Sequence, residues 1–279
     1  MQQFRVPDLY KGVHIDKGRS HAAVDMPEMH AHSFHELYFL LSGKRRYCVG
    51  HKIFDVSPGN LVVIPQTVLH RTTSINKQGY ERYVVYFQEG YVQELIQSVG
   101  QDNFTAFLDS GCISFSEEDA SALRGMLEQL ANETKKQDFL TSAIEKNLLE
   151  QIILYSLRHG AKKELEQKEG ADKIQIAARY ISEHFSEEIT LSDAAAMAFM
   201  EETYFSKKFK QLTGFGFKEY LITTRVKAAE NLLKTTNMSV GEIADACGFS
   251  SSNYFGSVFK RLLGVSPANY QKEDNRKDD

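Results

Sequence analysis

Hydrophobic and polar positions follow two different periods along the chain. Up to about residue 115, apolar and β-branched residues come in short runs: Glu36–Leu41, Arg46–Val49, Leu61–Ile64 and Arg82–Phe87. Gly43, Gly50, the turn Ser57-Pro58-Gly59-Asn60, Pro65 and Gly79 separate them. Many short strands between turn residues predict a sandwich or a barrel. Near Ser116 the period becomes helical. Ser116 to Asp119 is a helix start of the capping-box kind, with Asp where Glu or Gln is usual. Leu123, Met126, Leu127 and Leu130 then share one helical face. The spacing predicts helices over 117–136 and from about 138 to 159.

The second of these helices carries two apolar stripes. One holds Ile144, Leu148, Ile152 and Tyr155; the next holds Leu149, Ile153 and Leu157. One flank is expected on the strands and the other against a second subunit. The alternative is that both pack within one chain, under the preceding helix. Residues 161–170, charged and flanked by Gly160, read as a linker. From Ala171 to Tyr270 the pattern is helical almost throughout.

This last part contains a repeat. Residues 204–220, YFSKKFKQLTGFGFKEY, align with 254–270, YFGSVFKRLLGVSPANY, at an offset of 50. Tyr204/Tyr254, Phe205/Phe255, Phe209/Phe259, Lys210/Lys260, Leu212/Leu262, Gly214/Gly264 and Tyr220/Tyr270 are identical pairs. Such identity marks a duplicated supersecondary unit. Phe205, Phe209 and Leu212 predict one buried helix face, and Phe255, Phe259 and Leu262 another. Gly214 and Gly264 suit C-caps. Short alanine-rich helices, about Leu191–Ala198 and Val240–Cys247, precede each copy, capped by Thr190 in the first case. Ser250 or Ser251 is expected to cap the last reading helix. Short helix, tight turn and second helix is the helix-turn-helix plan, with Ala195 and Ala244 permitting close crossing. Phe217–Lys234 predicts a joining helix of about 27 Å, which suits two reading helices one DNA turn apart.

Charge sets a limit on this reading. The chain holds 33 Lys and Arg against 37 Asp and Glu, a net charge of −4, and neither half is basic overall. A DNA-binding surface must therefore be a local patch. The outward face of helix 202–213 offers one: Thr203, Ser206, Lys207 and Lys210 can meet base edges and phosphates.

Residues 174–270 resemble the DNA-binding domain of the AraC/XylS family of transcription regulators. The segments carrying the resemblance are ARYISEHFSEEITLSDAA, YFSKKFKQLTG, EYLITTRVKAAENLLKTTNMSVGEIADACGF and YFGSVFKRLLGVSPANY. The resemblance implies two helix-turn-helix units with their reading helices in adjacent major grooves of promoter DNA. By position, Thr203, Ser206 and Lys207 would contact bases in the first unit, and Ser252, Asn253 and Ser257 in the second. Lys210, Lys260 and Arg261 are placed as phosphate contacts. Glu201 and Glu202 depart from the family pattern; they suit the helix dipole but repel phosphate. Gly256 and Ser257 are also short where longer side chains are usual. RNA polymerase, a second copy of the chain and a small-molecule effector, with a sugar among the candidates, are the further implied partners.

The N-terminal half holds its own chemistry. His30 to Gly43, HAHSFHELYFLLSG, has the spacing H-x-H-x3-E-x6-G, and Gly59 to His70 has G-x5-P-x4-H. Together these resemble the two motifs of the cupin fold, with Thr67 standing where Gly is usual. On one strand His30, His32 and Glu36 share parity, and His70 is expected from a neighbouring strand. Three imidazoles and a carboxylate suit a divalent transition metal such as Fe, Mn, Ni or Zn. The resemblance equally admits a sensor barrel that keeps this polar ring and requires no cofactor. Tyr38, Arg46, Tyr47, Arg71 and Arg82 are candidate effector-pocket residues at the barrel mouth.

The expected fold is α+β multidomain. A cupin-like β-barrel over 1–115 is followed by a helical coupling and dimerisation segment over 116–160 and a linker over 161–170. A double helix-turn-helix domain over 171–270 and a charged tail over 271–279 complete it. Cys48, Cys112 and Cys247 are too few and too widely spaced for a disulfide framework. No apolar run reaches membrane-spanning length, and MQQFRVPDLYKG lacks a secretory signal's apolar core. A cytoplasmic regulator without catalytic activity is the reading favoured. The alternative is a cupin metalloenzyme, a dioxygenase or isomerase, fused to a DNA-binding domain.

Overall fold

Alternation in β2, His35–Ser42, sends Leu37 and Phe39 to one face and Glu36, Tyr38 and Leu40 to the other. That alternation organises the whole N-terminal unit. A computed structural model describes residues 12–26, 30–76, 78–163 and 171–275. It divides into two units, Met1–Glu166 and Gln167–Asp279. In the first, β1 (Val13–Ala22), β2, β3 (Arg45–Val49), β4 (Lys52–Val56), β5 (Leu61–Ile64), β6 (His70–Ser74) and β7 (Gln78–Phe87) come in succession. Two short helices follow, α1 (Gln93–Val99) and α2 (Gln101–Leu108), then β8 (Cys112–Ser114), α3 (Glu117–Glu133), α4 (Thr141–His159) and β9 (Ala161–Lys162).

The strands form two antiparallel sheets, β1-β7-β2-β5-β8-β9 and β4-β3-β6. Their inner faces meet in a lumen lined by Tyr38, Leu40, Val62, Ile64 and Val84 from one sheet and Tyr47, Val49, Phe54 and Val56 from the other. The expected cupin-like barrel is built from these two facing sheets. Pro65, which lacks an N–H, and Thr67, at φ 64°, interrupt the chain between β5 and β6, and β6 pairs with β3 instead. The outer face of the larger sheet packs under α1 to α4, with Leu123, Leu127, Leu130, Leu149, Ile152 and Ile153 fully buried against Leu37, Phe39, Val63 and Val85.

This packing corrects the expectation for α4. Leu148, Ile152, Leu149 and Ile153 are all buried inside the unit, because α3 covers the second stripe. The face that remains outward is Ala143, Ile144, Asn147, Gln151, Leu154 and Arg158. At the start of α3, Ser116 accepts from Asp119 N–H at 3.0 Å, as expected. The Asp119 carboxylate does not close the box. It receives Ser116 Oγ–H at 2.6 Å and Tyr155 O–H at 2.7 Å, tying the start of α3 to α4.

The first residues of the predicted linker belong to this unit too. Ala161 and Lys162 pair with β8, and Lys163 Nζ donates to Asp55 O at 2.7 Å and Asn60 Oδ1 at 3.2 Å. Residues 164–170 lie outside the described residues. All three cysteines are free and buried; burial pushes the Cys247 thiol up to about 11. Among the described residues no helix is long and apolar enough to cross a membrane.

The second unit is helical: α5 (Ala171–Glu183), α6 (Leu191–Met197), α7 (Glu202–Thr213), α8 (Phe217–Thr235), α9 (Val240–Ala246), α10 (Ser252–Leu263) and α11 (Pro267–Asn275). Thr190 and Ser239 begin α6 and α9 with full capping boxes, and Ser251 caps α10. The repeat is repeated in packing. Phe209 meets Tyr220 edge-on at 5.3 Å, and Phe259 meets Tyr270 edge-on at 5.5 Å. Leu262 breaks the parallel: it is 39% exposed, and Val258 takes the inward position beside Phe255 and Phe259.

The helix α11 takes in residues 271–275 of the predicted tail, and residues 276–279 lie outside the described residues. Pro267 opens α11 at the position that needs no N–H, and Tyr270 O–H donates to Glu230 Oε1 at 2.6 Å. Glu230 is buried and also receives Lys227 Nζ–H. Tyr270→Phe removes a bond to a charged acceptor, so a loss of about 1.5–3 kcal/mol is expected, read by chemical denaturation of the second unit's helices.

Candidate functional site

The N-terminal site is built where chain segments from both sheets converge. His30 forms a two-way backbone bridge with His70, the first residue of β6. The chain then bends at Ser33 and Phe34 before β2 begins. His32 stacks on Phe34 at 3.9 Å with its ring nearly parallel. His30, His32 and Glu36 therefore do not share one straight strand, and His70 comes from the opposite sheet rather than a neighbour of β2. The four still converge: their ligand atoms lie within 4.8 Å of one another, and all but His30 are buried. Thr67 supports the site by donating its N–H to His32 O at 2.7 Å. Its φ of 64° is left-handed, which is the physical reason that Gly is usual at this position.

Protons decide what this cluster can do. His32 presents Nδ1 to Phe34 O at 2.8 Å and Nε2 to Glu36 Oε2 at 3.1 Å. His70 presents Nδ1 to Val68 O at 2.9 Å, and its Nε2 stands 3.5 Å from the same Glu36 oxygen. That last distance is too long for a good hydrogen bond, and His70 Nε2 has no hydrogen-bond partner. A neutral imidazole has one N–H. With Nδ1–H given to the carbonyls, both Nε2 lone pairs face a carboxylate. The arrangement needs either added protons or a cation at its centre. Burial raises the Glu36 carboxyl, but the two imidazoles outweigh it and hold Glu36 well below the usual carboxylate range.

The donor set fits a divalent transition ion. Nδ1–H bonds to backbone oxygens fix the tautomer and leave Nε2 free to coordinate, as in known metal sites. Ligands about 2.1 Å from one ion lie at most about 4.2 Å apart. The observed spread closes on such an ion by side-chain adjustment of about half an ångström.

The candidate effector residues separate by strand parity. Tyr38 and Tyr47 face the lumen, buried, with rings 4.8 Å apart. Tyr38 Oη has no hydrogen-bond partner, and burial pushes both phenols up. Arg82 donates to Asp16 Oδ2 at 2.7 Å and lies over Gly18 of β1. Arg46 and Arg71 do not join them. They lie on the outer face of the small sheet, Arg46 paired with Asp55 at 2.7 Å and Arg71 donating to Met26 O at 2.7 Å. The residue that the sequence reading missed is Arg45, buried beside Tyr80. The signal was available: Tyr47 facing inward requires Arg45 to do the same.

In the second unit, α7 and α10 present the residues expected to meet DNA. Thr203, Lys207 and Lys210 are exposed and Ser206 is half-buried on α7; Ser252, Asn253, Ser257, Lys260 and Arg261 are exposed on α10. Ser257 Oγ–H donates to Asn253 O of its own helix at 2.9 Å. Glu201 caps α7 through Tyr204 N–H at 3.0 Å. Its carboxyl is held low by the backbone N–H groups of Thr203 and Tyr204. Tyr204 and Tyr254, equivalent in the repeat, are also exposed, as sequence reasoning did not anticipate. Phe199, in the turn before α7, is 82% exposed and left-handed at φ 51°.

Comparison with known proteins assigns both units. The family model described as AraC-like ligand binding domain matches residues 18–153, and that described as helix-turn-helix domain matches 194–273. The chain is 24% identical over 245 residues to the HTH-type transcriptional activator RhaR of Mannheimia succiniciproducens, covering 87% of this chain and 86% of that one. It is 36% identical over 103 residues to the regulatory protein PocR of Salmonella typhimurium, covering 37% of this chain and 34% of PocR. Among solved structures, that of ToxT from Vibrio cholerae O395 aligns over 93% of this chain and 97% of ToxT, with 14% identity and a TM-score of 0.37.

Proposed function

The chain belongs to the AraC family of transcription regulators, and from that membership we propose that it controls promoters in response to a small-molecule effector bound between its two sheets. The observation that carries this reading is the duplicated helix-turn-helix, whose two copies bury matching aromatic faces and turn polar faces outward. In this reading Thr203, Ser206 and Lys207 read bases in one major groove and Ser252, Asn253 and Ser257 in the next. Lys210, Lys260 and Arg261 contact phosphate. The effector acts by binding two arrangements of the protein with different affinity. Action in the cytoplasm, contact with RNA polymerase and assembly as a dimer belong to the same proposal. The outward face of α4, with Ile144 and Leu154 exposed, supports the dimer.

A divalent ion at His30, His32, Glu36 and His70 would supply a Lewis-acidic point for an oxygen of the effector. A second reading, a cupin metalloenzyme fused to the DNA-binding unit, is favoured by that same convergence. Turnover of a candidate substrate by the metal-loaded protein separates the two; the regulator reading expects none.

The DNA reading is tested by dividing the work between two lysines. Lys207 can bond a guanine edge, a contact worth roughly 1–3 kcal/mol of discrimination. Lys260 sits where a phosphate contact positions the protein without specifying sequence. In a binding-site selection at fixed salt, Lys207→Ala is expected to relax preference at one or two base pairs. Lys260→Ala is expected to weaken binding to all sequences and flatten the salt dependence by about one unit. Unchanged preference in Lys207→Ala, or altered preference in Lys260→Ala, contradicts the division.

A further inference from the structure

Arg45 is among the most deeply buried side chains of the molecule, at 1% exposure. It stands on β3 two residues before Tyr47 and shares its inward parity. Its partners are all neutral. Nε donates to Thr72 Oγ1 at 3.2 Å, Nη1 donates to Ser74 Oγ at 2.7 Å, and the guanidinium lies over the Tyr80 ring at 4.3 Å. Among the described residues no carboxylate lies within ion-pair distance of it. The contrast with the neighbouring arginines is direct: Arg46 holds Asp55, and Arg82 holds Asp16. A guanidinium cannot shed its proton to escape burial, and a buried charge without a counter-charge is costly.

A second group in the same lumen is also unsatisfied. Tyr38 is 2% exposed, and its hydroxyl has no hydrogen-bond partner. It faces the lumen from β2, opposite Tyr47 and within the electrostatic reach of Arg45, Arg82 and Glu36. An unpartnered O–H and a positive charge held only by neutral groups, on facing sheets, define what would satisfy both.

We propose that Arg45 and Tyr38 form a carboxylate subsite, so that the effector is a small organic acid rather than a neutral sugar. This rests on the reading of the N-terminal unit as effector-binding. One uncompensated positive charge matches one carboxylate. A phosphate dianion calls for a second free cation, and Arg82 is already committed to Asp16. Thr72 and Ser74 hold the guanidinium fork in place before the ligand arrives, and the apolar side chains of Val49, Phe54, Val62 and Val84 on the same inner faces would border the remainder of the acid.

The test is thermal unfolding of the full chain with acetate, acetamide or inorganic phosphate at matched ionic strength. Acetate is expected to raise the wild-type Tm above the acetamide and phosphate samples, through binding to the folded state alone. Arg45→Met is expected to lose that difference. Without any addition its Tm is expected to rise by about 2–4 °C, because a neutral side chain replaces an unpaired charge. Tyr38→Phe serves if Arg45→Met does not fold: it removes an unsatisfied buried hydroxyl, so its unliganded Tm should be no lower than wild type and its acetate shift smaller. An acetate effect equal to that of acetamide overturns the subsite. So does an acetate effect retained by either variant, or a larger phosphate effect that Arg45→Met removes. Binding of a selected DNA site is measured on the same wild-type preparation. DNA binding without an acetate response sinks the subsite alone, whereas no sequence-specific DNA binding sinks the parent reading.

Discussion

Gly248→Ala is expected to destabilise the second unit by about 2–5 kcal/mol and to cost most of its DNA affinity. Gly248 is the left-handed residue, at φ 74°, in the turn between α9 and α10. A Cβ there would stand 2.3 Å from Ser186 O and 2.7 Å from the carbon of the same carbonyl. Those are backbone atoms, so neither can rotate away. Left-handed strain for an L-residue costs about 1–2 kcal/mol, and forced overpacking adds about 1–3 kcal/mol. The turn aims α10, so any backbone shift that relieves the clash also moves Asn253 and Lys260. Chemical denaturation measures the first effect and titration with a selected DNA site the second. The turn of the first helix-turn-helix, between α6 and α7, gives the control. Phe199 adopts the same left-handed conformation with its side chain outward, so Phe199→Gly should be neutral to mildly stabilising.

The second large effect concerns the histidine cluster. His70→Ala is expected to weaken uptake of a divalent transition ion by at least roughly 100-fold, beyond the 10–100-fold typical of losing a supporting partner. His70 is fully buried, and its Nε2 has no other partner. The substitution leaves Glu36 with His32 as its nearer imidazole. Ion uptake should also fall as pH is lowered, because the imidazoles must be neutral to coordinate. Equilibrium dialysis against Zn, with metal analysis of the protein, reads both trends. A wild-type protein that takes up no ion would show that protons, not a metal, fill the centre.

The helical half was the more legible in sequence. Its two reading helices, the joining helix and the caps at Thr190 and Ser251 follow from local rules: capping side chains, glycine C-caps and an apolar face at helical spacing. The duplication supplied what a single copy could not. The exposed Leu262 shows the limit, since helical spacing offers two neighbouring inward positions and only packing selects Val258.

The N-terminal half was legible in its motifs and less so in its geometry. His30, His32, Glu36 and His70 could be singled out from spacing. The reason they converge could not, because the bend at Ser33 and Phe34 and the departure of β6 to the second sheet are non-local. The strands β1 and β6 carry too few apolar residues to stand out. The helices α1 and α2, split at Gly100, are too short to show a period. Strand parity was the costly gap. One residue of register distinguishes Arg46, on the outer face, from Arg45, in the lumen.

The central claim is that this chain reads DNA through two helix-turn-helix units under effector control. Selection from a random duplex pool by the full-length wild-type protein tests it most directly. The account predicts an enriched two-part motif, its halves one helical turn apart at about 10–10.5 base pairs. Affinity for that motif should change when the effector is added. A pool that shows no enriched sequence, with only uniform salt-sensitive binding, would contradict it.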